Sequence, residues 1–160
     1  SRGLVGSEMC IRDRFRKTLR DGGAAVTELF DEIDAEMQKL ASHSDDIVVN
    51  NVSHMSRAVE AARRATAHIL AAANEPRRPA VNGVNYLMLL GRLCGGWMVT
   101  RASYKAAVQK SDPSADPSFM LAKLATARVF MTHHLPQVHA LADVIMTGDE
   151  GILAMDTKWL

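Results

Sequence analysis

The chain contains 160 residues, of which 48% are hydrophobic and only 5% are aromatic. That length can bury the core of one domain, and a core built from Ala, Leu, Val and Met favours helices over strands. Lysine and arginine number 19 against 18 acidic residues, so the formal net charge is +1. This balance argues against binding to a nucleic-acid backbone, which requires a basic surface.

Neither the cysteines nor the hydropathy pattern indicates a secreted or membrane protein. Cys10 and Cys94 lie far apart in unlike contexts, which favours a reducing compartment over a disulfide framework. A membrane helix needs about 20 uncharged apolar residues, and Arg92 interrupts the best candidate. We therefore expect a cytoplasmic protein without a membrane span.

Residues 1–14, SRGLVGSEMCIRDR, do not continue into any helical pattern. Their apolar centre is too short for a secretory signal, and the string is similar to translated sequencing-adapter sequence. We expect a non-native leader here, with a natural disordered arm as the alternative. The remainder, residues 15–160, is expected to form a single helical domain.

Two amphipathic helices are predicted in the first half of this domain. Phe15 to Arg20 is expected to end an earlier helix, and Asp21-Gly22-Gly23 breaks it because glycine is unfavourable within helices. The first full helix covers Ala24 to Ala41, with apolar residues spaced three and four apart. Its acidic residues are expected to form a solvated face rather than a metal site: Glu28, Asp31, Glu32, Asp34 and Glu36.

The second helix is predicted from Asp46 to Asn74, after a turn over Ser42 to Asp46 that supplies N-capping side chains. Arg63 and Arg64 are expected to point away from its buried stripe. Seven mainly apolar residues at heptad spacing form that stripe: Val48, Val52, Met55, Val59, Ala62, Thr66 and Ile69.

A proline-containing segment, Glu75 to Pro79, is expected to be the longest connector and a hinge, since proline disfavours helical geometry in the residue before it. The central helix then runs from Val84 or Tyr86 to about Lys110. It is expected to make contacts on two sides, through two apolar stripes: Tyr86, Leu90, Leu93, Trp97 and Thr100 on one, and Leu87, Cys94 and Met98 on the other.

Three glycines lie inside this central helix, at Gly91, Gly95 and Gly96. Each costs about 1 kcal/mol of helix propensity relative to alanine, so something must offset that cost. We expect close backbone approach by a neighbouring helix. A transmembrane dimer motif is the alternative, which Arg92 and the short apolar run disfavour.

The last long helix is predicted from Ser118 to Met146. Asp116 suits its N-cap and Pro117 its first position, where a missing N–H does no harm. Pro136 lies inside the pattern and is expected to kink the helix, and Gly148 suits the C-cap. The predicted fold is all-α, an up-and-down antiparallel bundle of four main helices with the last one kinked at Pro136.

The histidines offer the only pattern with metal-ligand spacing. His133, His134 and His139 cluster near Asp143. Helical metal sites in bundles pair Glu with Glu-x-x-His, and that motif is absent from the sequence. Surface or interface histidines are therefore favoured over a metal site, and His54 and His68 are interpreted in the same way, as ordinary helix residues.

No residue is assigned to catalysis, to cofactor binding or to a metal, because no glycine-rich phosphate loop, Cys-x-x-Cys pair or identifiable catalytic triad occurs. Cys94 lies in an apolar helix, which favours a small buried side chain over a nucleophile. Arg77-Arg78 together with Arg63-Arg64 could bind an anionic group, although two solvated arginine pairs are the simpler interpretation.

Several strings, taken as a set, resemble a known family. They are YLMLLG at residues 86–91, GWM at 96–98, KLATARVFM at 123–131, LP at 135–136 and GDEGILAMD at 148–156. This set is similar to the C-terminal helical domain appended to a subgroup of bacterial acyl-CoA dehydrogenases, the 3-methylmercaptopropionyl-CoA dehydrogenase-like enzymes. The resemblance covers roughly Ala24 to Asp156.

The resemblance implies a flavoenzyme that binds FAD, removes the α-proton of an acyl-CoA with a glutamate base and passes hydride to the flavin. It also implies an acyl-CoA substrate, an electron acceptor and a homo-oligomer. The family's catalytic and flavin-binding segments precede the appended domain, so none of their residues is transferred to this chain. We expect an accessory domain that packs on a catalytic body and is inactive alone; the alternative is a free-standing helical interaction module.

Overall fold

The computed structural model describes residues 18–75, 77–110, 112–155 and 158, with the backbone alone for residues 78–80. Residues 1–14, the expected leader, lie outside the described part, as does most of the helix end expected from Phe15. Residues 18–20 are helical. The elements that follow are α1 (Ala24–Leu40), α2 (Asp46–Ala71), α3 (Arg77–Gln109), α4 (Pro117–Val129), a π-helical turn (Phe130–His134), α5 (Gln137–Thr147) and α6 (Asp149–Leu153).

The all-α prediction is confirmed, since every regular element in the described ranges is helical. Helices α2, α3 and α5 pack against one another and enclose the core, while α1 packs on α2 and α4 packs on α3. All seven residues of the heptad stripe predicted for α2 are buried. None of the helices in the described ranges has the length and apolar character that a membrane crossing requires.

Aspartate caps begin two of the helices where the sequence predicted them. The Asp45 carboxylate accepts a hydrogen bond from the backbone N–H of Ile47 at 3.0 Å, at the start of α2. The Asp116 carboxylate accepts from the backbone N–H of Ser118 at 2.9 Å, with Pro117 in the first helical position of α4. Both caps satisfy N–H groups that a helix start leaves without intrahelical partners.

Helix α3 begins earlier than the sequence suggested. It includes Arg77 to Pro79 and spans 33 residues, so the expected hinge segment mostly belongs to its first turn. A proline is tolerated there because the first N–H groups of a helix have no intrahelical acceptor. The longest connector is instead the one from Lys110 to Asp116, and the prediction for Glu75 to Pro79 was wrong on this point.

The predicted last helix bends as expected, but through a π-helical turn before the proline. The backbone N–H of Leu135 donates to the Phe130 carbonyl at 3.0 Å, five residues back. Pro136 follows directly and donates no such bond, because it has no N–H. The widened turn therefore divides the segment into α4 and α5, which lets α4 pack on α3 while α5 packs between α2 and α3.

Candidate docking surface

The inner face of α3 is the most deeply buried part of the central helix. Tyr86, Leu89, Leu93 and Thr100 are each at most 3% exposed, and Trp97 is 9% exposed. This face contains four of the five residues of the first predicted stripe, with Leu90 half-buried beside it. The prediction of contact on this side is confirmed.

Polar side chains lock α3 against α2 within the core. The hydroxyls of Thr66 and Tyr86 are 2.9 Å apart, and the Asn51 side-chain amide donates to the Ser103 hydroxyl at 3.0 Å. Burial raises the pKa of Tyr86, so its hydroxyl keeps its proton and stays able to donate. Buried groups paired in this way fix the relative position of the two helices.

One carboxylate joins α1 to α3. The Trp97 indole N–H donates to Glu36 at 2.6 Å, and Arg101 lies 3.2 Å from the other oxygen of the same carboxylate. The Arg101 guanidinium also lies 5.4 Å from the Trp97 ring centroid, a cation–π arrangement. Glu36 therefore has a specific partner, whereas the sequence suggested only a solvated acidic face.

The opposite side of α3 carries an exposed apolar stripe. We define the outer stripe as Val84, Leu87, Met88, Gly91, Cys94 and Met98, which the helical period of 3.6 residues brings to one side. Val84 is 56% exposed, and Met88 and Met98 are each 45% exposed. The stripe is about 21 Å long, since the 14 steps from Val84 to Met98 each rise about 1.5 Å, and none of its six residues is charged.

The expectation of contact on two sides stays a prediction for the second side of α3. Leu87 and Cys94 are only half-buried, and Met98 is exposed. The second predicted stripe therefore lacks the cover that the first one has among the described residues. Cys94 was expected to be a small buried side chain, and it lies instead at the margin of the core.

The three glycines of α3 lie in different surroundings. A Cβ at Gly95 would lie 2.9 Å from the Phe130 ring, and one at Gly96 would lie 2.8 Å from both Leu135 and Met55. At Gly91, by contrast, an added Cβ would meet nothing within 4 Å. Neighbouring groups therefore do approach α3 closely at Gly95 and Gly96, although side chains and not a backbone make the contact. The prediction of a close approach was wrong for Gly91 within the described structure.

Helix α4 adds further exposed apolar side chains. Leu121 is 65% exposed, and Phe119 and Val129 are each 52% exposed. Only Leu124 and Ala127 of this helix are buried. Leu121 and Val129 belong to the apolar pattern of the predicted last helix, but they lie outside the narrow strip along which α4 contacts the bundle.

The side of the bundle made by α1 and α2 has a different chemistry. The Arg63 guanidinium lies 2.6 Å from Asp31 and 2.8 Å from Asp34, and Arg64 lies 3.4 Å from Glu60. Arg63, which was expected to point away from the buried stripe of α2, is half-exposed and bridges α2 to α1. These ion pairs argue against an anion-binding patch formed by Arg63 and Arg64.

The histidines do not converge on a metal site in the described ranges, where no group of three or more metal-ligating side chains occurs. His133 and His134 are exposed on the π-helical turn, and His139 is half-buried on α5. His68 lies 3.4 Å from Asp149, whose side chain is 2% exposed. This contact joins α2 to α6, and sequence spacing gave no signal for it.

A surface depression of about 570 Å³ lies beside the α1–α2 turn and the end of α3. Its lining includes His43, Asp45, Asp46 and Lys110. The Lys110 ammonium donates to Asp45, and this hydrogen bond lowers the pKa of the Asp45 carboxyl. Lys110 and Asp45 of the depression are therefore already paired with each other.

The bundle and the outer stripe define an all-helical domain with an exposed apolar face on α3. The chain belongs to the family of acetyl-CoA dehydrogenase C-terminal-like domains, whose model matches residues 15–156. It is 30% identical over 144 residues to the 3-methylmercaptopropionyl-CoA dehydrogenase of Ruegeria pomeroyi (strain ATCC 700808 / DSM 15171 / DSS-3). That match covers 87% of this chain and 24% of the relative, so the chain spans about a quarter of the curated relative.

Proposed function

We propose that the chain is the accessory C-terminal domain of a flavin-dependent acyl-CoA dehydrogenase. In this role it packs on a catalytic body that oxidises the α,β bond of an acyl-CoA thioester, and it is inactive alone. The observation that carries the proposal is the match to a C-terminal domain family together with a dehydrogenase relative about four times as long as the matched segment.

The surface chemistry supports a docking role. Exposed apolar patches of several hundred Å² on soluble domains mark interaction sites, and the outer stripe contains three large side chains that are each at least 45% exposed. We propose that the catalytic body covers this stripe in the complete enzyme. The complete enzyme then holds FAD, takes an acyl-CoA substrate and an electron acceptor, and assembles as a cytoplasmic homo-oligomer.

The surface depression beside Asp45 and Lys110 does not fit FAD. It is open to solvent and its ammonium group is paired with a carboxylate, whereas a cofactor pocket encloses most of its ligand. We therefore assign flavin binding to the catalytic body.

The coding DNA upstream of the Phe15 codon tests the proposal most directly. We expect an open reading frame that encodes a flavin-binding dehydrogenase body in the same frame. An authentic start codon just before Phe15 would overturn the proposal and favour a free-standing interaction module. Stoichiometric flavin absorbance from the purified chain would overturn the proposal that this domain is inactive alone.

The state of the isolated chain provides a second test. With the outer stripe uncovered, we expect the chain to self-associate in sedimentation experiments, and Met88→Glu to reduce that association by placing a charge in the stripe. Ala102→Glu is the matched control, because it introduces the same charge on the exposed, polar continuation of the same helix. A stable, monodisperse wild-type monomer would contradict the proposed docking role of the stripe.

A further inference from the structure

Gly91 has no structural explanation within the described part of the domain. It lies near the middle of the 33-residue helix α3, it is exposed, and a Cβ added there would meet nothing within 4 Å. Glycine is the least favourable residue in a helix interior apart from proline. Gly95 and Gly96 make room for Phe130, Leu135 and Met55, but no such neighbour accounts for Gly91.

The lack of a side chain at Gly91 leaves a gap in the outer stripe, which we call the notch. Met88 lies one turn before it on the outer stripe and Met98 lies two turns after it, and both are exposed. A glycine between larger side chains lets a second helix approach the backbone closely, while methionine adapts its shape to the surface that covers it. The notch therefore has the form of a helix-crossing point.

The family match and the longer relative indicate which part of a larger polypeptide packs into the notch. The matched segment is a C-terminal domain and only 24% of the relative's length, so a much larger body precedes it in a polypeptide of that kind. The side formed by α1 and α2 presents ion pairs to solvent, whereas the outer stripe has no charge to desolvate. An apolar helix of the body fits the stripe and not the charged side.

We propose that a helix of the catalytic body crosses α3 at Gly91, with Met88 and Met98 packing on either side of the crossing. This inference rests on the proposed function and adds the point of contact. It makes Gly91 a residue required for docking, and one that the fold of the isolated chain does not need.

The experiment uses a fusion in which residues 15–156 of this chain replace the matched segment of the Ruegeria pomeroyi relative. Docking is measured as the rate of limited proteolysis at the junction, together with retention of flavin. Gly91→Leu should accelerate cleavage about tenfold, because overpacking a close contact weakens it by roughly that factor. Ala102→Leu, exposed on the same side of α3 beyond the stripe, should change the rate less than about twofold.

Three outcomes separate the two proposals. If the fusion with the unaltered domain is cleaved as fast as a denatured control, the proposed function fails. If it is protected and Gly91→Leu is protected equally well, the crossing at Gly91 is overturned while the proposed function stands. If Gly91→Leu abolishes self-association of the 160-residue chain but leaves the fusion protected, the stripe binds a second copy of the domain, which also overturns the crossing.

Discussion

Two sides of the bundle meet solvent in different ways. On the side of α1 and α2, Arg63 bridges Asp31 and Asp34, so charged groups from two helices pair across the surface. On the outer side of α3, Val84 and Met88 are about half-exposed with no charge among them. The first side has the chemistry of a solvent surface, whereas the second has that of an interface.

The same helix contributes to both the core and the exposed outer stripe, which shows how the difference arises. One side of α3 contains Leu93 at 0% exposure and Trp97 bonded to Glu36, and the opposite side contains the outer stripe. A helix that is apolar on two sides needs two partners. The described bundle supplies one of them, so substitutions on the two sides should differ in their effect on the isolated chain.

The largest expected difference in the free energy of unfolding is between the variants Leu93→Ala and Val84→Ala. Leu93 is fully buried and Val84 is 56% exposed. Leu93→Ala should lower the free energy of unfolding by about 2–5 kcal/mol, since it leaves a cavity in the core. Val84→Ala should change it by less than about 0.5 kcal/mol. Urea unfolding followed by circular dichroism measures both, and similar losses would show that the isolated chain covers the outer stripe in solution.

The next largest difference in the free energy of unfolding is expected at two glycines of α3, where substitution should lower stability at one and raise it at the other. Gly96→Leu should lower the free energy of unfolding by about 1–3 kcal/mol, because its side chain collides with Leu135 and Met55. Gly91→Leu should raise it by about 0.5–1 kcal/mol, since leucine is a better helix former and the site is open. Thermal and urea unfolding measure both, and a loss of stability at Gly91 would mean that the isolated domain already fills the notch.

Sequence periodicity predicted the elements whose signal is local. The heptad stripe of α2 is buried from Val48 to Ile69, and Asp45 and Asp116 cap their helices where expected. These features depend on side chains within a few residues of one another, and the 3.6-residue period is enough to find them. The family resemblance, carried by strings such as KLATARVFM, is confirmed by the family match and by the relative.

Sequence periodicity could not predict the features that depend on residues far away in the sequence. Periodicity identified Leu121 as apolar, but only the position of α4 on α3 decides that it is exposed. The pairing of Arg63 with α1 spans about 30 residues of sequence, and spacing carries no information about it. The glycine pattern also looked uniform, although the neighbours that distinguish Gly96 from Gly91 come from α2 and the segment around Pro136.

The contact between α5 and α2 should also respond to pH, with a smaller effect. His139 on α5 is half-buried, and burial lowers its pKa below the ordinary value of 6.5. Arg57 and Arg64 of α2 lower that pKa further, and His54 acts in the same direction, while Asp143 opposes them. The unfolded chain therefore binds a proton at His139 more readily than the folded chain does, and stability falls as the pH falls.

The direction of this pH dependence decides which measurement tests it. A depressed histidine pKa gives a contribution to stability that is complete above pH 6.5 and is lost as the pH falls through the lower folded-state value. His139→Gln should flatten the decline of unfolding free energy between about pH 7.5 and pH 5, whereas His133→Gln, on the exposed π-helical turn, should retain the wild-type slope. Equal slopes in wild type and His139→Gln would mean that α5 separates from α2 often enough for solvent to reach the imidazole. In that case the contact between α5 and α2 would shield His139 from solvent no better than the outer stripe is shielded.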